Sequence, residues 1–232
     1  SHLDLNHLEY LLKKSPKNVQ KIIISETVFS MDGDLVNIKD LRFLSKKYST
    51  ILYLDEAHAL GVMGKEGKGL CNQISAPIKI ISGTFGKAFG SGGAFLATDK
   101  KTGEHLIQTS GAFRYTTALA PPLAAAALAS LNLIKKNPHW GVELQKRSMN
   151  WRKELSIQGW EYPQGNGPII PLLMGSDEKA IHHQKKLEHK GILSVAIRPP
   201  TVAEGSSRLR LVIRKPLPNG TLKKLIMALS DS

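Results

Sequence analysis

A lysine in a glycine-rich stretch, a carboxylate and an imidazole close together, and two hydroxyls are the residues here that could do chemistry as a set. They are Lys87, in Gly83-Thr84-Phe85-Gly86-Lys87-Ala88-Phe89-Gly90; Asp55 and His58, in Asp55-Glu56-Ala57-His58; and Ser30 and Thr84. A lysine amine can form an imine with an aldehyde. A carboxylate can keep a heteroaromatic ring nitrogen protonated, so that the ring draws electrons. Hydroxyl and imidazole groups suit a phenolic oxygen, and a hydroxyl beside glycine-freed backbone amides suits a phosphate.

Each group lies past a short apolar run that reads as a strand. Ser30 lies beyond Lys21-Ile22-Ile23-Ile24-Ser25, Asp55 and His58 end Ile51-Leu52-Tyr53-Leu54, and Thr84 and Lys87 follow Ile78-Lys79-Ile80-Ile81. In an open parallel sheet, ligands bind beyond the carboxyl ends of the strands, so three strand ends would deliver these groups to one edge. Taken singly, each residue has an ordinary reading: a surface lysine, a helix-capping Asp, a turn serine. The ordered set favours the chemical reading. The cofactor that needs this set is pyridoxal 5'-phosphate (PLP), with Lys87 as its imine-forming lysine.

Two rivals are weaker. An apolar strand followed by Asp-Glu-Ala-His also resembles the magnesium-binding box of helicase-type ATPases, but that chemistry needs an upstream phosphate loop. The Gly-Lys pairs at 64–65, 67–68 and 86–87 are followed by Glu, Gly and Ala, and all lie downstream. No metal site is expected, because His182, His183 and His189 lack ligand spacing and a cysteine partner. Cys71 reads as a small core residue.

The elements that must position these groups alternate. Asp4 to Lys14 and Ile38 to Tyr48 have helical periodicity, and Gly93 to Thr98 reads as a fourth strand. Strands that are apolar throughout and alternate with helices imply an α/β fold with a mostly parallel sheet covered on both faces. From Pro121 the texture changes. Helices over Pro121 to Lys136, Val142 to Ile157 and Asp177 to Lys190, strands at Ile169 to Met174, Ile192 to Ile197 and Arg208 to Ile213, and a closing helix after Pro218 read as a compact α+β block. The expected organisation is residues 1–137 as part of a large domain and 138–232 as a small C-terminal domain.

The chain has 232 residues, 41% of them hydrophobic, which suffices for one large core or two smaller ones. Its formal charge of +13 would suit a polyanionic partner, yet the Lys pairs are dispersed and aromatic residues do not interleave with them in any regular way, so solvated helix faces explain them better. Neither nucleic acid nor a membrane is expected as a partner. One cysteine and no signal-peptide pattern point to a reducing cytoplasm.

These segments resemble the α-oxoamine synthases of PLP fold type I. The resemblance rests on Thr27-Val28-Phe29-Ser30-Met31-Asp32-Gly33-Asp34, the Asp55 and Lys87 segments, Tyr115-Thr116-Thr117-Ala118-Leu119-Ala120-Pro121-Pro122, Ala196-Ile197-Arg198-Pro199-Pro200-Thr201-Val202, and Arg208-Leu209-Arg210. It implies an acyltransferase fold with a PLP-binding large domain. Lys87 would hold the cofactor as an imine and later act as base, Asp55 would pair with the ring nitrogen, Ser30 and His58 would contact the phenolic oxygen, and Thr84 the phosphate. Thr117 would reach the phosphate of a neighbouring subunit in a homodimer, Arg210 would grip the amino-acid carboxylate, and Thr201 would touch substrate.

The Ile197-Arg198-Pro199-Pro200-Thr201 segment is similar to the alanine-using branch of that family. It implies a decarboxylative Claisen condensation of L-alanine with a pimeloyl thioester, a step of biotin biosynthesis. Three positions depart from the family: Thr116 stands where Ser is usual, Ala203 where Pro is usual, and Leu3 interrupts a His-Asn-Asp stretch. The resemblance also implies that the family's N-terminal third, with its glycine-rich phosphate turn and ring-stacking histidine, precedes residue 1. The alternatives are a glycine-dependent acyltransferase of the same family, a non-catalytic homologue that keeps the fold, and a basic nucleic-acid binder.

Overall fold

The computed structural model describes residues 1–73 and 80–230. The chain divides into two compact units, one of Ser1–Val28 with Leu35–His139, the other of Phe29–Asp34 with Trp140–Ser232.

In the first unit, helix α1 (Leu5–Lys14) is followed by strand β1 (Ile22–Glu26), helix α2 (Ile38–Lys47), strands β2 (Ile51–Asp55), β3 (Ile80–Thr84) and β4 (Ala94–Thr98), and helices α3 (Lys100–Thr109), α4 (Gly111–Arg114) and α5 (Pro121–Lys136). Asp4, Asn37 and Asp99 cap α1, α2 and α3 by accepting amides of the first turn, and α5 opens on proline, whose missing N–H costs nothing there. The four strands lie in the order β1-β2-β3-β4, with β1, β2 and β3 parallel and β4 antiparallel to β3. Of the expected third strand, Ile78 and Lys79 lie outside the described residues. Helices α3 and α4 were not legible in the periodicity.

The expectation of a sheet covered on both sides is met in part by β2, whose one face is buried and whose other face, with Ile51 and Tyr53, is half-buried, and is not met by β1. Leu52 and Leu54 are buried, whereas Ile22 and Ile24 stand 54% and 68% exposed beside a buried Ile23. The strand period of two puts Ile22 and Ile24 on one face, and the described residues leave that face of this edge strand open.

In the second unit, α6 (Trp140–Ile157), β5 (Ile169–Gly175), α7 (Asp177–His189), β6 (Val195–Ile197), β7 (Ser207–Val212) and α8 (Thr221–Ser230) form an α+β body. Its antiparallel sheet has the order β5-β7-β6, and Pro171 is tolerated because β5 is an edge. The core joins Trp151 and Leu155 of α6, Ile170 and Leu172 of β5, Leu187 of α7, Leu209 and Leu211 of β7, and Leu225 of α8. The sixth strand is shorter than expected, starting at Val195 rather than Ile192, and Ile192 instead packs against this core.

Candidate active site

The carboxyl ends of β2 and β3 are adjacent, with Asp55 and Ser82 opposite one another in register. Both Asp55 carboxylate oxygens are engaged: Oδ1 accepts the Ala57 amide at 2.8 Å, and Oδ2 accepts the Ser82 hydroxyl at 2.5 Å. The Asp55 carbonyl takes the Thr27 amide at 2.9 Å and the Thr27 hydroxyl at 3.2 Å, which fixes the strand end from the other side. His58, three residues on, brings Nε2 to 2.9 Å from Lys87 Nζ.

Lys87 sits exposed in the connection from β3 to β4. That connection is tied at its base by the Phe85 amide to the Gly93 carbonyl (2.9 Å) and by the Ser91 amide to the Phe85 carbonyl (2.8 Å). The Thr84 hydroxyl donates to the Gly93 carbonyl at 3.1 Å and accepts the Gly86 amide at 3.0 Å. Gly90, at φ +58°, closes the turn after Lys87, and its missing side chain leaves open space. Gly83 serves the packing of the chain itself. A Cβ there would lie 2.4 Å from Leu60 and 2.6 Å from the Phe95 ring, so this glycine lets the chain pack on itself.

Between Asp55 and His58, Glu56 turns inward and is 1% exposed. Its Oε1 accepts the amides of Leu70 and Cys71 at 2.8 and 3.1 Å, pinning the far end of the segment that follows His58. Burial pushes its pKa up, against the lowering effect of those two amides. Burial, reinforced by Glu56, also pushes the Cys71 thiol up, so this cysteine is no thiolate nucleophile at neutral pH.

Ser30, Thr201 and Arg210 belong to the second unit. Arg208 and Arg210 lie two apart on β7 and so point the same way. Arg208, 7% exposed, pairs with Asp32, and Arg210 donates from Nε to the Ser30 carbonyl at 2.6 Å. Gly33 and Gly165 make close backbone approaches there: a Cβ on Gly33 would lie 2.4 Å from the Ile169 carbonyl oxygen, and one on Gly165 would lie 2.0 Å from that of Gly33. The Thr201 amide donates to the Arg198 carbonyl at 3.0 Å, and its side chain is exposed. Thr117 lies exposed in the first unit, between α4 and α5.

The structure therefore brings Asp55, His58, Thr84 and Lys87 to neighbouring strand ends, and Ser30 to Arg210. Sequence reasoning passed over Ser82, Asp32, Arg208 and the buried Arg152. Ser82 needed the strand register, which no periodicity supplies. Arg208 sits two residues before Arg210, and that strand spacing was the one usable signal.

An imine-capable amine beside an imidazole, an oriented carboxylate on the adjacent strand end, and a hydroxyl in a glycine-rich turn match the donor set that PLP requires. Residues 1–229 match the aminotransferase class I and II family, and the chain belongs to it. Its α/β architecture is PLP fold type I. It is similar to a Magnetococcus marinus protein provisionally named 8-amino-7-oxononanoate synthase, 40% identical over 211 residues, or 90% of this chain and 53% of that protein. The solved structure of 8-amino-7-oxononanoate synthase from Francisella tularensis superposes with a TM-score of 0.82 at 28% identity, covering 98% of this chain and 65% of the other. The S. paucimobilis serine palmitoyltransferase structure with a bound PLP–myriocin aldimine gives a TM-score of 0.91 at 22% identity, over 98% of this chain and 58% of that one, a likeness of fold alone. The chain spans 53% to 60% of the length of the curated relatives it matches.

Proposed function

We propose that the natural protein containing this chain is a PLP-dependent acyltransferase of the 8-amino-7-oxononanoate synthase type. It would condense L-alanine with a pimeloyl thioester and release 8-amino-7-oxononanoate, CO2 and the free thiol carrier. The observation that carries this reading is Lys87 Nζ at 2.9 Å from His58 Nε2, on the strand end next to the one that holds Asp55. The names of the relatives at 34% to 40% identity support the choice of reaction.

Bound PLP would supply the electron sink that makes the α-carbon of the amino acid acidic. Lys87 would capture the cofactor's aldehyde and later take the α-proton, and His58 Nε2, within hydrogen-bond distance, gives that amine a partner for proton exchange. Asp55 would pair with the protonated ring nitrogen. Ser30 and His58 would address the phenolic oxygen, and Thr84 the phosphate. Arg210 would take the alanine carboxylate, through its Nη atoms while Nε is held by the Ser30 carbonyl. Thr201 would contact substrate.

In this reading residues 1–137 are part of the large PLP-binding domain and 138–232 the small one. The protein is a homodimer in which Thr117 reaches the phosphate of the partner subunit. Exposed apolar side chains on α5 (Leu123, Leu128, Leu131 and Leu133) and Tyr115, 79% exposed beside it, support a subunit contact here. We place the enzyme in the cytoplasm, supported by its free, buried Cys71; no helix of the described residues is long and apolar enough to cross a membrane.

The test is product formation by the purified full-length protein. L-alanine with a pimeloyl thioester should be turned over at least tenfold faster than glycine with an acetyl thioester or L-serine with a palmitoyl thioester. Faster turnover of either competing pair would move the protein to another α-oxoamine synthase activity.

A further inference from the structure

We infer that Ser82 is a positioning residue for Asp55, one that fixes the carboxylate in the orientation in which it meets a protonated ring nitrogen. The inference rests on the PLP reading above and adds a residue to it.

Asp55 stands at the last position of its strand, where a carboxylate is otherwise free to rotate. Two donors remove that freedom. The Ala57 amide holds Oδ1 at 2.8 Å and the Ser82 hydroxyl holds Oδ2 at 2.5 Å, one donor on each oxygen. The Ser82 donor is built in rather than adventitious. Ser82 is the register partner of Asp55 on β3, is 8% exposed, and its own carbonyl accepts the Glu56 amide at 2.9 Å. Water therefore has little room to replace the hydroxyl. Each carboxylate oxygen can accept a second hydrogen bond, so both donors can stay in place while a ring N–H⁺ approaches. A charge-assisted bond to such a cation depends steeply on angle, and the preset carboxylate plane would hold it in line.

The prediction is a graded series in the full-length protein. Ser82→Thr retains the hydroxyl and should bind PLP within about twofold of wild type. Ser82→Cys retains the volume with a weak donor and should fall between. Ser82→Ala should bind about 3–10-fold more weakly, as expected when one side chain must be ordered on binding instead of being held in place beforehand. The absorbance band of bound PLP and its pH titration midpoint should shift in the same order, which a purely packing role would not produce. Melting of the cofactor-free variants should remain near wild type; the Thr and Cys variants keep the series readable should the Ala variant fold poorly. Equal PLP affinity and an unmoved band and midpoint in Ser82→Ala would overturn the inference. Wild-type protein that binds no PLP would instead overturn the functional reading beneath it.

Discussion

Replacement of Arg152 by methionine should destabilise the protein out of proportion to its distance from any reacting group. Arg152 is 0% exposed on α6, and its guanidinium donates to the carbonyls of Pro163 (3.1 Å), Gln164 (3.2 and 3.3 Å), Gly167 (3.0 Å) and Ile169 (2.5 Å), and to the Ser148 hydroxyl. Burial lowers its pKa to about 10, which still leaves it charged at neutral pH. It thus acts as a cationic staple for the segment between Gly159 and β5, including the Gly165 that lies against Gly33. In Arg152→Met the Gly167 carbonyl keeps the Ser148 hydroxyl at 2.6 Å, and the Pro163, Gln164 and Ile169 carbonyls lose this donor. An orphaned buried acceptor costs about 1–3 kcal/mol, and relief of the guanidinium's own desolvation offsets part of the sum, leaving about 3–5 kcal/mol. At about 2–4 °C per kcal/mol for a chain of this size, Tm should fall by roughly 6–20 °C. Arg152→Lys, with one ammonium in place of the planar fork, should recover less than half of the loss. The assay is thermal unfolding by circular dichroism, with hydrogen exchange across residues 159–169. A Met variant that melts within 2 °C of wild type, with unchanged exchange there, would refute the staple.

Glu56→Ala should cost about 2–5 kcal/mol by leaving the Leu70 and Cys71 amides unpaired, whereas Glu56→Gln, which still accepts them, should stay within about 1 kcal/mol at pH 7 by urea unfolding. Because burial raises the Glu56 pKa, the folded protein holds that proton to higher pH than the unfolded chain does. The stability of wild type relative to Glu56→Gln should therefore be greatest below about pH 4 and decline as pH rises through the raised pKa; a difference independent of pH would contradict this. Asp32→Ala, which leaves the buried Arg208 without its carboxylate, should accelerate amide exchange at Phe29 and Gly33, whose hydrogen bonds close the 29–34 turn, and leave β1 and β2 unchanged. Equal exchange in that turn would show that the pair does not hold it.

Much of the fold could be read because its elements carry unambiguous local signals. The apolar run Ile51–Leu54 is a strand ending at Asp55, and Pro121 opens a helix that ends at Lys136 as the alanine-rich pattern requires. Asp55, His58, Thr84 and Lys87 were legible for the same reason, since each ends a strand or closely follows one, whereas Thr117, between α4 and α5, came from the resemblance alone. What stayed hidden depends on register and tertiary packing. Ser82 matters because it lies opposite Asp55, and Gly83 because Leu60 and Phe95 fill the space beside it. Residues Phe29–Asp34 follow directly from β1 and Val28 yet cluster with the second unit, through Asp32–Arg208 and Ser30–Arg210. Pairings about 180 residues apart in the chain leave no local pattern. The open face of β1 was also illegible, because Ile22 and Ile24 look the same in sequence whether covered or exposed.

The PLP-dependent reading depends most on Lys87 as the amine that takes the cofactor. The full-length protein should be mixed with PLP, reduced with borohydride, digested and mapped by mass spectrometry. The expected result is a yellow protein before reduction and a stable pyridoxyl adduct on Lys87, both lost in Lys87→Ala. A colourless protein, or an adduct on a different lysine that persists in Lys87→Ala, would contradict it.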